Sequence, residues 1–92
     1  MIQLVLNSPF LSQDLEQALR YRDAEDVLVL MQDAVVAATA PQWCTRLVGI
    51  PLYVMEEDLK ARGLQGRIGM ELDMPGLIAL IAEQGSPQTW AG

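Results

Sequence analysis

Three short apolar runs and a weaker fourth strand segment, separated by segments with helical periodicity, are the feature that most constrains the fold of this chain. The runs cover residues 2–6, 27–31 and 51–55, and the weaker segment covers residues 67–72. The second run is continuous rather than alternating, which is typical of a strand buried on both faces. Strands that alternate with helices pair in parallel through right-handed crossovers. The sequence therefore predicts an α/β fold with an open, mostly parallel sheet of four to five strands and helices on both faces.

The first two predicted helices follow the first and second apolar runs. Ser8 is expected to cap the first helix, with Pro9 at its first position. Its apolar stripe has helical spacing and consists of Leu11, Leu15, Ala18 and Leu19. Asp33 is expected to cap the second helix, residues 34–47, which Pro41 interrupts or restarts.

The last two predicted helices have clearer end signals. Three acidic residues, 56–58, stand where the dipole of a helix start favours them, and Gly63 is the expected left-handed terminator. Asp73 is expected to cap the final helix, with Pro75 in its first turn. The predicted buried stripe of this helix consists of Leu77, Ile78, Leu80 and Ile81.

The length of 92 residues fits a single domain, residues 1–92. Area scaling gives a folded surface of about 5,300 Å² for such a chain. Apolar residues make up 51% of the sequence and charged residues 20%, which excludes a disordered chain. Because so small a domain has little interior, some apolar side chains are expected at a subunit interface, and the isolated chain is expected to self-associate.

The charge balance limits the partners of this chain. Six basic residues stand against twelve acidic ones, a net charge of −6, and the basic residues form no cluster. This argues against direct binding to nucleic acid or to an anionic membrane. The first ten residues lack the basic region of a signal peptide, no apolar stretch approaches a membrane span, and there is one cysteine. A cytoplasmic location is expected.

The absence of histidine removes most nucleophilic catalysis. No Ser-His-Asp or Cys-His arrangement can form, and one cysteine without histidine cannot build a structural zinc site in one protomer. We therefore expect no catalytic residue, no cofactor and no metal. Cys44 is the one conceivable sulfur carrier. Its place inside a helix, beside Trp43 and two residues before Arg46, favours a half-buried structural thiol.

Three other patterns have a functional and a structural interpretation. Gly63, Gly66 and Gly69 could suggest a phosphate loop, but they follow a helix, so helix termination and turns are favoured. Asp33 after the second run could be a phosphoacceptor, but a helix cap is favoured. Residues 56–58 could suggest a metal cluster, but pairing with the helix dipole is favoured.

The order of several motifs resembles the TusB/DsrH family. Residues 8–10, Ser-Pro-Phe, follow the first run, and residues 27–35 look like the family's L-L-x-Q/E-D-G/A segment. Residues 57–64, Glu-Asp-Leu-Lys-Ala-Arg-Gly-Leu, are similar to its E/P-D-L-x-A-R-G segment. Asp73 suits its last helix and Trp90 its C-terminal tryptophan. The similarity spans nearly the whole chain.

The resemblance implies a DsrEFH-like fold with flavodoxin-like layering and a non-catalytic role in a sulfur relay. TusC- and TusD-like subunits, or DsrF- and DsrE-like ones, would complete a heterohexamer. It would pass persulfide sulfur toward 2-thiolation of the tRNA wobble uridine, or serve sulfur oxidation. The reactive cysteine would lie mainly on the TusD- or DsrE-like partner. Some DsrH proteins carry a further cysteine where this chain has Ala18. A persulfide carrier using Cys44 and a stand-alone flavodoxin-like regulatory module remain alternatives.

Overall fold

Five parallel strands form one sheet in the computed structural model, which describes residues 1–92. In chain order they are β1 (Ile2–Val5), β2 (Val27–Leu30), β3 (Leu52–Met55), β4 (Met70–Leu72) and β5 (Gln88–Trp90). Their order across the sheet is β4-β3-β2-β1-β5, and every neighbouring pair is parallel. The open parallel α/β sheet is thus confirmed. No apolar run marked β5.

The helices are distributed unequally over the two faces of the sheet. They are α1 (Asp14–Tyr21), a 3₁₀ helix (Gln32–Ala38), α2 (Pro41–Leu47), α3 (Glu56–Ala61) and α4 (Met74–Gln84). The chain steps from β1 to β4 in one direction and returns to β5 in the other. Because parallel crossovers are right-handed, the return crossover places α4 on the opposite face from the other helices.

Each face of the sheet carries its own apolar layer, and the two layers contain different helices. The larger layer joins one set of strand side chains, including Leu28 and Val54, to α1, the 3₁₀ helix, α2 and α3. We call this side of the sheet the first face. Alternate strand side chains, including Leu4 and Val29, point the other way and pack with Leu77 of α4. Helices on both faces are confirmed, and α4 is the one helix on its face, here called the α4 face.

The prediction that Ser8 caps the first helix is wrong. Helix α1 begins at Asp14, and Ser8 lies in a preceding turn, where its Oγ accepts a hydrogen bond from the Phe10 backbone N–H (3.2 Å). Because that turn occupies the predicted first helical turn, Leu11 is 89% exposed instead of buried. Leu15 and Ala18 are buried as predicted.

The predicted helix over residues 34–47 is divided in two. A 3₁₀ helix ends at Ala38, and Pro41 occupies the first position of α2, where its missing N–H costs nothing. At the last helix the cap is confirmed, since Oδ1 of Asp73 accepts from the Gly76 N–H at 2.7 Å. The stripe of α4 is only partly right: Leu77 is buried, but Ile78 is 62% exposed.

Helix α3 ends in a Schellman motif at Gly63, as its sequence predicts. Gly63 has φ +63°, a conformation that glycine adopts without strain. Its N–H bonds the Lys60 carbonyl at 3.1 Å, and the Leu64 N–H bonds the Leu59 carbonyl at 2.9 Å. Leu59 and Leu64 both pack into the apolar layer of the first face.

A buried polar network ties β5 to the centre of the molecule. Gln3 of β1 donates from Nε2 to Oδ2 of Asp26 at 3.0 Å and accepts at Oε1 from Trp90 Nε1 at 2.8 Å. Gln3 and Asp26 are the two buried polar side chains of the fold. The hydrogen bond between them satisfies the Gln3 amide nitrogen and the Asp26 carboxylate, which burial would otherwise leave without partners.

None of the helices has the length and hydropathy needed to span a bilayer.

Candidate functional site

Cys44, the one candidate sulfur carrier, sits half-buried in α2 against the end of the 3₁₀ helix. Its Sγ lies 3.4 Å from the Ala38 carbonyl oxygen and 3.8 Å from that of Ala37. A relay thiol needs a cationic neighbour or a base that favours the thiolate. The contacts of this Sγ are neutral carbonyl oxygens, so its surroundings are those of a packed helical thiol.

Arg46, two residues after Cys44, is engaged elsewhere. Its guanidinium lies over the Trp43 ring, 4.5 Å from the ring centroid. Both terminal nitrogens donate to the carboxylate of Glu16 in α1, one of them at 2.8 Å. The hydrogen bonding from Arg46 lowers the pKa of Glu16, and the same contact raises the pKa of Arg46. Arg46 therefore links α2 to α1 through Glu16 and is not the cationic neighbour that would favour a Cys44 thiolate.

The position at which the family resemblance suggests a further cysteine is buried in this chain. Ala18 lies in α1 and is buried in the apolar layer of the first face. A methyl group carries no sulfur.

Asp33 does not cap a helix, so that prediction is wrong. It lies inside the first turn of the 3₁₀ helix, whose cap position is Met31. Its Oδ1 instead accepts from Nε and Nη2 of Arg62 at 3.1 and 2.9 Å. Because Arg62 stands at the end of α3, Asp33 joins the connection after β2 to the helix after β3.

Asp58 completes this cluster. Its Oδ2 accepts from the Gln32 backbone N–H at 2.8 Å, and its backbone carbonyl accepts from Arg62 Nη1 at 3.0 Å. Gln32 has φ +49° and is the one non-glycine residue in the left-handed region. The two family-like segments, residues 27–35 and 57–64, are thus joined by hydrogen bonds where the neighbouring strands β2 and β3 end.

Sequence reasoning missed this cluster, although two signals for it were present. Asp58 and Arg62 are spaced i, i+4, which places them side by side on a helix. Asp33 and Asp58 also come soon after two consecutive strands, β2 and β3, and the carboxyl ends of parallel strands share one edge of the sheet. Only the sheet order, which the sequence does not state, brings Asp33 to Arg62.

The acidic residues 56–58 begin a helix, and the glycines lie in the loop that follows it. Residues 56–58 form the first turn of α3, and no set of three acidic or cysteine ligands converges anywhere in the chain. Gly63 and Gly66 border an open, mostly polar depression of about 530 Å³ that also includes Arg67. No helix starts at this loop, which leads into β4, so it lacks the helix N-terminus that a phosphate loop uses.

Comparison with known proteins agrees with these motifs. A family model described as DsrH like protein matches residues 7–86. Protein TusB of Erwinia tasmaniensis is 39% identical over 79 residues, which cover 83% of this chain and 82% of the relative. A Protein TusB of Escherichia coli is 33% identical over 96 residues, covering 98% and 100%. One from Yersinia pestis is 38% identical over 71 residues, 74% of each chain. This chain belongs to the TusB/DsrH family.

Proposed function

We propose that this chain is a non-catalytic subunit of a sulfur-relay complex, completed by TusC- and TusD-like subunits in a heterohexamer. Membership of the TusB/DsrH family is the observation that carries the proposal. The two positions considered for a sulfur-carrying thiol support the proposal. Cys44 contacts neutral carbonyl oxygens, and position 18 is a buried alanine without a thiol. The reactive cysteine then belongs to a partner subunit.

The proposed destination of the sulfur is position 2 of the wobble uridine in tRNA. The relatives compared above are called Protein TusB, which favours this branch over sulfur oxidation. An acidic chain of net charge −6 serves such a pathway through its partners and does not grip the tRNA itself. The proposed location is the cytoplasm, where tRNA is modified.

Deletion of the gene, followed by mass spectrometry of tRNA nucleosides, tests this function. We expect the deletion to abolish 2-thiouridine, and both the wild-type gene and the Cys44→Ser variant to restore it. Cys44→Ser is the informative variant because Ser keeps the shape of the side chain but cannot carry a persulfide. Normal thiolation in the deletion strain would contradict the proposal, and a defect confined to sulfur oxidation would assign the chain to the other branch.

Loading the assembled complex with labelled persulfide tests the non-catalytic role directly. We expect mass spectrometry to find the label on a partner cysteine and none on Cys44. Stoichiometric label on Cys44, together with failure of Cys44→Ser to restore thiolation, would show that the chain is a carrier.

A further inference from the structure

Helix α4 is the helix whose solvent side is apolar. Its exposed residues include Ile78, which is 62% exposed, and Met74, which is 40% exposed. They form a continuous strip, here called the outer α4 strip, that consists of Met74, Pro75, Ile78, Ala79 and Ala82. By contrast, the exposed side of α1 includes charged residues, among them Arg20. An ordinary surface helix has polar residues on that side.

A helix that is apolar all round is normally buried on all sides. The inner side of α4 packs on the sheet through Leu77, Leu80 and Ile81. Four residues of its outer strip have the i, i+3, i+4, i+7 spacing of anchors in helix-in-groove recognition, namely Pro75, Ile78, Ala79 and Ala82. The outer side is therefore expected to lie in a groove that this chain does not provide.

The charges around α4 indicate which charges the groove of the partner should carry. All six basic residues lie between Arg20 and Arg67, in or next to the helices of the first face, and none follows Arg67. Within α4 the one charged residue is Glu83, near its end, and Asp73 precedes its start. Glu83 takes part in no ion pair of the chain. Acidic groups thus stand at both ends of the outer α4 strip.

A second copy of this chain is a poor occupant for the strip. Packing two α4 helices antiparallel would bring Asp73 of one copy toward Glu83 of the other. Parallel packing would bring the two Glu83 side chains together. Since α4 contains no basic residue, neither arrangement compensates these repulsions.

We propose that the outer α4 strip docks into an apolar groove of a different subunit, with Lys or Arg at the two ends of that groove. The inference rests on the proposed function in one respect, namely that a TusC- or TusD-like subunit provides the groove. The apolar anchors and the basic ends follow from the residues of this chain.

Co-expression with the TusC- and TusD-like subunits of the same organism tests the inference, with assembly measured by size-exclusion chromatography. We expect Ile78→Glu to weaken assembly by at least about tenfold, because it places a charge at the central anchor. Tyr21→Glu is the matched control, since Tyr21 is a 67% exposed apolar residue at the end of α1. It should assemble like the wild type, and circular dichroism should show both variants folded.

The ends of the groove are tested by charge reversal. Glu83→Lys should weaken assembly and reduce its sensitivity to salt, whereas Glu57→Lys on α3 should leave both unchanged. For the isolated wild-type chain, sedimentation should show weak self-association that strengthens as salt screens the acidic groups. A tight homodimer at low salt would overturn the choice of a different subunit.

The outcomes separate the inference from the proposed function. If the wild type and Ile78→Glu assemble equally well, the α4 strip is not the docking surface, although the subunit role stands. If the wild type itself fails to assemble with these subunits, both the proposed function and the inference are wrong.

Discussion

At the scale of single residues, the Asp73 carboxylate holds the start of α4. Its Oδ1 accepts from the Gly76 N–H at 2.7 Å, which satisfies one of the free donors of the first turn. Asp73→Ala should lower the free energy of unfolding by about 1 kcal/mol in urea titrations. The comparison variant is Asp33→Ala, which breaks an exposed ion pair with Arg62 and should cost less than about 1 kcal/mol. Equal losses would contradict these separate roles.

The carboxylate of Asp26 makes the stability of the fold depend on acid pH. Hydrogen bonds from the Asp23 backbone N–H and from the Gln3 amide lower the pKa of Asp26. Because the folded state favours the ionised form, this contribution is complete above the unfolded pKa of about 3.9. It is lost as the pH falls through the lower folded value.

Asp26→Asn should therefore destabilise the protein at neutral pH, and the difference from the wild type should shrink as the pH falls below about 4. Urea unfolding across the acid range measures both effects. Asp23→Asn is the control, since no hydrogen bond or ion pair uses the Asp23 side chain, and it should follow the wild-type curve. A constant difference between wild type and Asp26→Asn at all pH values would refute the assignment.

Residue chemistry was readable from the sequence where it acts locally. Asp73 could be recognised as a cap because its partner lies three residues away, and Gly63 as a terminator because the bonds of its turn close within five residues. Asp33 was misassigned because its partner Arg62 is 29 residues away. Nothing local distinguishes an aspartate that bonds a helix N–H from one that bonds a distant guanidinium.

At the scale of elements, the start of the 3₁₀ helix that follows β2 is strained at its first residue, Gln32. Its φ of +49° costs a non-glycine residue about 1–2 kcal/mol. Gln32→Gly removes that strain and keeps the backbone N–H that bonds Asp58, although glycine loses about 0.5–1 kcal/mol more through unfolded-state entropy. The net expectation is a gain of about 0.5 kcal/mol in the free energy of unfolding.

Gln17→Gly is the control, and it is expected to lower the free energy of unfolding. Gln17 lies within α1 in ordinary helical conformation, so glycine there should cost about 1 kcal/mol. Chemical denaturation of the two variants beside the wild type should thus give opposite signs. A similar loss in both would show that the left-handed turn carries no strain.

The strands differ in how well they can be predicted from their own sequences. Residues 27–31 form a continuous apolar run, and β2 lies within it at the centre of the sheet. Strand β5 has only three residues, Gln-Thr-Trp, of which the first two are exposed. Its strand conformation comes from hydrogen bonds to β1. That partner is distant in sequence, so no pattern within residues 88–90 could reveal the strand.

At the scale of the whole molecule, we propose that residues 1–92 form one cooperative unit. The accessible surface is 5196 Å², close to the value expected for a single folded domain of this size. The late strand β5 is fixed to the first strand by the backbone bond from the Leu6 N–H to the Trp90 carbonyl at 3.2 Å. The indole bond from Trp90 to Gln3 adds a side-chain link between the same strands. The fold therefore closes across nearly the full length of the chain.

The two tryptophans allow this cooperativity to be measured at separate places. Trp43 is buried in α2, and Trp90 ends the edge strand β5. In Trp43→Phe, fluorescence reports on β5, and in Trp90→Phe it reports on α2. Within each variant, the urea transition followed by fluorescence should coincide with that followed by far-ultraviolet circular dichroism, as expected of a two-state domain. A fluorescence transition at lower urea in Trp43→Phe would contradict this expectation and show that β5 detaches first. The physical reason would be that β5 has three residues and pairs with β1 alone, so that its contacts are too few to hold it until the core unfolds.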